Sequence, residues 1–183
     1  MALHKTSHSP WPAGGERHGI RMKHMKLRAG LLVLTALLFA GCAKQDTELL
    51  EFKTSVDAFC DKIVAFDADI NKITNISADE AGLEAAKKEL LDCLDGLEDE
   101  FRKFSNLDFP EEFDYLENMA DEAGDYMTEA VKSYHNLYGR ADGYNANMEE
   151  YANENYARAY KRIKVIVALL RGETPDEEGL TIQ

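Results

Sequence analysis

The chain has 183 residues, 34 of them acidic and 21 basic, for a formal net charge of −13. Such acidity repels nucleic acid, whose binding is driven by phosphate neutralisation and counterion release, so that class of partner is excluded. The length suits one domain with a real core rather than two.

Residues 1–24 carry His4, His8, His18 and His24 among Pro10, Trp11 and Pro12, without period or apolar core, and read as an extension from a start assigned too far upstream. Met22 or Met25 would each begin a short basic segment. Residues 25–41 follow, with Lys26 and Arg28 ahead of an apolar run from Gly30 to Gly41. That run is about a dozen residues, whereas a helix crossing ~30 Å of hydrocarbon needs ~20, so it fits an export signal and not a permanent span. Leu38-Phe39-Ala40-Gly41-Cys42 resembles the lipobox of the bacterial lipoprotein family, with the small pair that the peptidase must admit, although Phe39 stands where leucine is usual. The resemblance implies cleavage between Gly41 and Cys42, acylation of the Cys42 thiol by palmitate or a similar chain, and a mature protein held on the extracytoplasmic face of the cell membrane or outer membrane. Removing a leader with six basic residues and one acidic residue leaves 15 basic against 33 acidic, net −18.

Residues 42–48 form a short tether, and residues 49–171 hold four helical patterns. Leu49, Phe52, Val56, Phe59, Ile63, Phe66, Ile70 and Ile73 alternate three and four apart, the mark of a straight amphipathic helix. Asn75-Ile76 breaks the pattern, and Ser77-Ala78-Asp79-Glu80 has the form of a capping box. A second stripe runs through Leu83, Ala86, Leu90, Cys93 or Leu94, Leu97, Phe101 and Phe104, with Gly96 as an interior weakness. Pro110-Glu111-Glu112 suits a helix start, and Phe113, Leu116, Ala120, Ala123, Met127, Ala130, Tyr134 and Leu137 follow. The small middle of this third stripe implies a close crossing or a pocket. Gly139 to Gly143 is a turn, Asn147 to Glu150 a second cap, and Met148, Ala152, Tyr156, Ala159, Ile163, Ile166 and Leu170 the last stripe. Gly172 stops it and residues 172–183 are a tail. The expected fold is all-α, an up-down-up-down antiparallel four-helix bundle behind a cleaved lipoprotein signal.

Cys60 and Cys93 remain after Cys42 in a compartment permissive for disulfides. Placing residue 74 opposite residue 79 across the first hairpin puts Cys60 opposite Cys93, so a structural disulfide is expected, worth roughly 3–4 kcal/mol in chain entropy.

Chemistry is sparse. The mature part keeps one histidine, His135, too few for the paired Glu-x-x-His ligands of di-iron bundles, and it has no Cys-x-x-Cys-His, phosphate loop or zinc spacing. No metal, cofactor or catalytic residue is expected. Tyrosines crowd the last two patterns, and Tyr126, Tyr134, Tyr151 and Tyr156 form a candidate binding face rimmed by asparagines. Arg158, Lys161, Arg162, Lys164 and Arg171, with Arg102 and Lys103, fall near the tethered end and would meet anionic lipid there. The sequence thus predicts a non-catalytic, membrane-anchored bundle that contacts another envelope protein. The alternative is a small-ligand or ion-binding module built on the aromatic and small-residue face of helices three and four. The mature part resembles small helical-bundle envelope lipoproteins in architecture alone, and that likeness carries over no active site.

Overall fold

A computed structural model describes residues 47–75, 80–139 and 145–175. The leader, Cys42, the Ser77–Asp79 part of the expected capping box, the turn from 140 to 144 and the tail beyond 175 lie outside them. Four helices pack together: α1 (Thr47–Thr74), α2 (Glu80–Ser105), α3 (Glu117–Gly139) and α4 (Ala146–Leu170), with one turn of 3-10 helix at Asp114–Leu116 leading into α3. There is no strand among the described residues.

Period three-four placement put most of the core where it is. Phe59, Ile63 and Ile70 of α1 and Leu90, Leu94, Leu97 and Phe101 of α2 meet Met127 and Tyr134 of α3 and Ile163 and Ile166 of α4 in one buried cluster. The seam of α1 departs from expectation at its start, where Leu49 is only half-buried and the core begins at Phe52, and at one interior step. Asp67 is buried and Phe66 is half-buried, so the helix turns a carboxylate inward and an aromatic ring toward its neighbour.

That ring sets the register of α1 against α2. A Cβ built on Gly96 would stand 2.8 Å from Cε1 and 2.9 Å from Cζ of Phe66, so the ring sits in the notch left by the missing side chain. Phe59 packs edge-on to Phe101 at 5.4 Å and stacks on Phe104 at 4.4 Å, and Lys62 Nζ donates to Glu100 at 2.7 Å. Gly96 is therefore the close-approach point of the hairpin rather than a weakness.

The register corrects the expected Cys60–Cys93 bridge. Cys93 Sγ lies 3.9 Å from the carbonyl of Phe66, at least six residues along α1 from Cys60, or ~9 Å at 1.5 Å per residue. A disulfide needs Cα atoms within ~7 Å, and both cysteines are free thiols. The aromatic notch slides α2 past the position that the hairpin ends alone would give.

The third helix begins later than Pro110. Phe113 N–H donates to the Pro110 carbonyl at 2.7 Å and Leu116 N–H to the Phe113 carbonyl at 2.9 Å, three-residue turns that fold the connection back. They carry Phe109 to 4.9 Å and Phe113 to 6.1 Å from Phe52, where both rings cover the start of α1. Burying two phenyl groups there outweighs extending α3 by a turn.

The small waist is a close crossing: α3 and α4 pack most extensively of all pairs, with Ala120, Ala123, Ala130, Ala152 and Ala159 fully buried. Asn145, not Asn147, caps α4, its Oδ1 accepting from the amides of Asn147 and Met148 at 3.1 Å each. At the other end Gly172 takes a φ of +70°, and Glu173 N–H reaches the Ala168 carbonyl at 2.9 Å while Gly172 N–H reaches that of Leu169 at 2.9 Å. This paired closure satisfies carbonyls that the helix end would leave orphaned. Side chains pair across neighbouring helices: Lys62 with Glu100 and Phe66 with Gly96, Glu98 with Thr128 and Asp95 with His135, Glu122 with Arg162 and Tyr134 with Asn153.

Candidate functional site

The four tyrosines of the expected binding face do not come together. Tyr134 is fully buried, and its hydroxyl donates to Asn153 Oδ1 at 2.6 Å while its ring stacks on Tyr138 at 6.3 Å. Burial drives its hydroxyl well above the usual phenol range. Tyr156 points into the core as well. Tyr126 is half-buried under two guanidinium groups, Arg162 at 4.4 Å and Arg158 at 5.7 Å from the ring centroid, whereas Tyr151 is 49% exposed. Tyr134 and Tyr156 serve packing, which leaves only half-buried Tyr126 and exposed Tyr151 of the four toward the surface.

What the sequence did not reveal is a polar cluster inside the bundle. Asp67 of α1 is 8% exposed, and its Oδ1 accepts from Tyr156 at 2.8 Å and from Tyr160 at 2.6 Å. The two rings lie one helical turn apart on α4 and stack at 4.7 Å. Burial pushes the Asp67 carboxyl above the ordinary carboxylate range, against the pull of the Tyr160 and Tyr156 hydrogen bonds and of the Lys164 charge. Both phenols are raised in turn, first by burial and further by the Asp67 carboxylate, while the Tyr156 hydrogen bond pulls Tyr160 the other way. A carboxylate with two phenol donors can hold or release a proton in place. Its only sequence signal was position: Asp67 follows Ile63 by four and precedes Ile70 by three.

The two thiols are unreactive by environment. Burial pushes Cys60 up to about 12, with Asp57 adding to the rise and Arg171 opposing it, and pushes Cys93 up to about 11, helped by Asp69 and Glu89. Several basic residues expected to meet lipid are engaged laterally. Arg162 is buried in an ion pair with Glu122, Arg102 holds Glu98 at 2.6 Å, Lys103 holds Glu100 at 2.6 Å, and Arg158 lies 3.6 Å from Glu154. Among the described residues no group of three or more His, Cys, Asp or Glu side chains is placed to hold a metal ion, and no helix is long and apolar enough to cross a membrane. The cleavage and acylation positions, Gly41 and Cys42, lie outside those residues.

The class that fold and site define is a helical bundle with a sealed polar cluster. No family model, no curated protein and no solved structure matches this chain.

Proposed function

We propose that the protein is a bacterial lipoprotein: the leader is cleaved before Cys42, that cysteine is acylated, and an up-down-up-down antiparallel bundle is held on the extracytoplasmic face of a membrane, where it acts without catalysis by contacting another envelope protein. One observation carries the reading. A basic start, a short apolar run and the pair Ala40-Gly41 end on a cysteine five residues ahead of Thr47, where α1 begins. Five extended residues reach at most ~18 Å, so the bundle would stand against the headgroups. The dispersal of the tyrosines and the close α3–α4 crossing support contact through an outer surface over a ligand held between the last two helices.

The test is Cys42→Ser, followed by palmitate labelling and membrane fractionation. Loss of label and release from the membrane fraction are expected; retained label and unchanged partition refute the anchor. Cross-linking in intact envelopes, with wild type and variant compared, tests the partner separately: cross-links to a single envelope protein that vanish in the released variant are expected.

A further inference from the structure

Three features converge on the seam between α1 and α4. The two helices bring their Cα atoms within 8 Å of each other at hardly any point, in contrast to α1 with α2 or α3 with α4. The gap is bridged by the long side chains of Tyr156 and Tyr160, whose hydroxyls both end on Asp67 Oδ1. At the end of α4, Nε and Nη2 of Arg171 are buried with no hydrogen-bond partner among the described residues, and the charge of that residue acts on Cys60 of α1. Buried polar groups with partial satisfaction weaken the interface that holds them. By contrast α1 is fastened to α2 by Phe59 against Phe101 and Phe104 and by Phe66 over Gly96.

We propose that the α1–α4 seam is a proton-tightened latch: Asp67, gripped by the Tyr156 and Tyr160 hydroxyls, closes α1 onto α4 when protonated, and its ionisation lets α1 swing outward while remaining packed on α2. The inference rests on the packing of the helices and not on the lipid anchor. The groups that face Asp67 are Tyr156, Tyr160 and Lys164 from α4 and Cys93, with Glu89 beside it, from α2. The phenols and Lys164 favour the carboxylate, and burial disfavours it and prevails. An acid whose carboxyl is raised by folding adds stability below its ordinary range and loses it as pH rises through the folded value, so the seam is tightest in acid. Opening uncovers Cys60, Ile63 and Ile70, all fully buried in the closed bundle.

Hydrogen exchange of the purified protein, read by mass spectrometry from about pH 7 to about pH 4 and corrected for intrinsic rates, reads the latch directly. The amides of α1 are expected to gain several-fold protection relative to those of α3 as pH falls. Asp67→Asn, which still accepts from both phenols without a charge, should hold α1 at the acid level of protection throughout. Tyr156→Phe with Tyr160→Phe should cost α1 roughly ten- to a hundred-fold in protection in acid and leave α3 unchanged. Protection of α1 and α3 that moves in step at every pH, or an Asp67→Asn protein that keeps the wild-type pH dependence, overturns the proposal. The Asn variant retains the hydrogen-bond geometry, so the latch remains refutable even where the double Phe variant fails to fold.

Discussion

The state of Cys60 and Cys93 tests the register of α1 on α2, because the hairpin ends and the aromatic notch give opposite answers. The perturbation is oxidation of the purified protein, carrying Cys42→Ser so that these two are its only thiols. With Cys93 Sγ at the Phe66 carbonyl, the two cysteines are ~9 Å or more apart along the axis, beyond the ~7 Å that a disulfide spans without moving backbone. Two thiols are therefore expected per chain when the protein is unfolded in denaturant and titrated with a chromogenic disulfide. In the native state both should react slowly. A thiol pushed from 9.0 to about 11, as at Cys93, holds about two orders of magnitude less thiolate at neutral pH, and at about 12 Cys60 holds about one order less again. Cys60 is also wholly buried, so its labelling should follow that of Cys93. A bridge between the two in peptide mapping under non-reducing conditions, or native labelling as fast as in denaturant, would refute the register and the burial together.

Gly96→Leu should lower stability in urea by ~1–3 kcal/mol although leucine is the better helix former, because even its Cβ meets the Phe66 ring; Phe66→Ala in the same chain should relieve part of that loss. Gly172→Ala should cost about 1–2 kcal/mol, seen as a lower Tm, since its φ of +70° strains a residue with a Cβ. Burial raises the Glu100 carboxyl, but hydrogen bonds and charges from Lys103 and Lys62 outweigh it and leave the group below its ordinary value, so its stabilisation is present above the unfolded pKa and lost as pH falls through the folded one. Glu100→Gln should therefore cost up to ~1 kcal/mol at neutral pH, the lysines being largely exposed, with a difference from wild type that closes in acid.

Most of the fold was legible because the stripes are long and regular. Ile63, Leu90, Leu97, Met127, Ile163 and Ile166 all fall where three-four spacing puts them. What the stripes cannot carry is the choice between adjacent positions and the height of one helix against the next. Phe66 and Asp67 are both near the α1 seam, and hydropathy selects phenylalanine; the structure selects aspartate because two hydroxyls 89 and 93 residues away in sequence reach it. Gly96 looks like a weak point until its neighbour across the hairpin is known. The delayed start of α3 has the same cause, since Phe109 and Phe113 are drawn to Phe52 on a different helix. For the candidate face, the stripes already held Tyr134 and Tyr156 as core positions, and grouping tyrosines by count obscured what their spacing said.

Charge placement bears on how the proposed anchor would hold. A mature chain of net −18 is repelled by an anionic bilayer, and basic residues near α1 offset that only if their charges are free to face lipid. Arg162 is buried against Glu122 and Tyr126, Arg102 and Lys103 pair along α2 with Glu98 and Glu100, and Arg158 faces Glu154, so these cations are spent within the bundle surface. Exposed around the same end are Glu51, Asp108, Glu111, Glu112, Asp114 and Glu117. One acyl chain gives only marginal, reversible membrane binding, and stable anchoring takes a second signal, either another chain or a polybasic patch. Lys161, exposed Lys164 and half-buried Arg171 lie at that end outside those pairs, but against six exposed carboxylates they make no polybasic patch, so the proposed attachment would draw on more than one chain on Cys42. Raising the salt concentration, which strips proteins held by surface charge, should then leave membrane association unchanged or strengthen it by screening the repulsion between the acidic end and the headgroups.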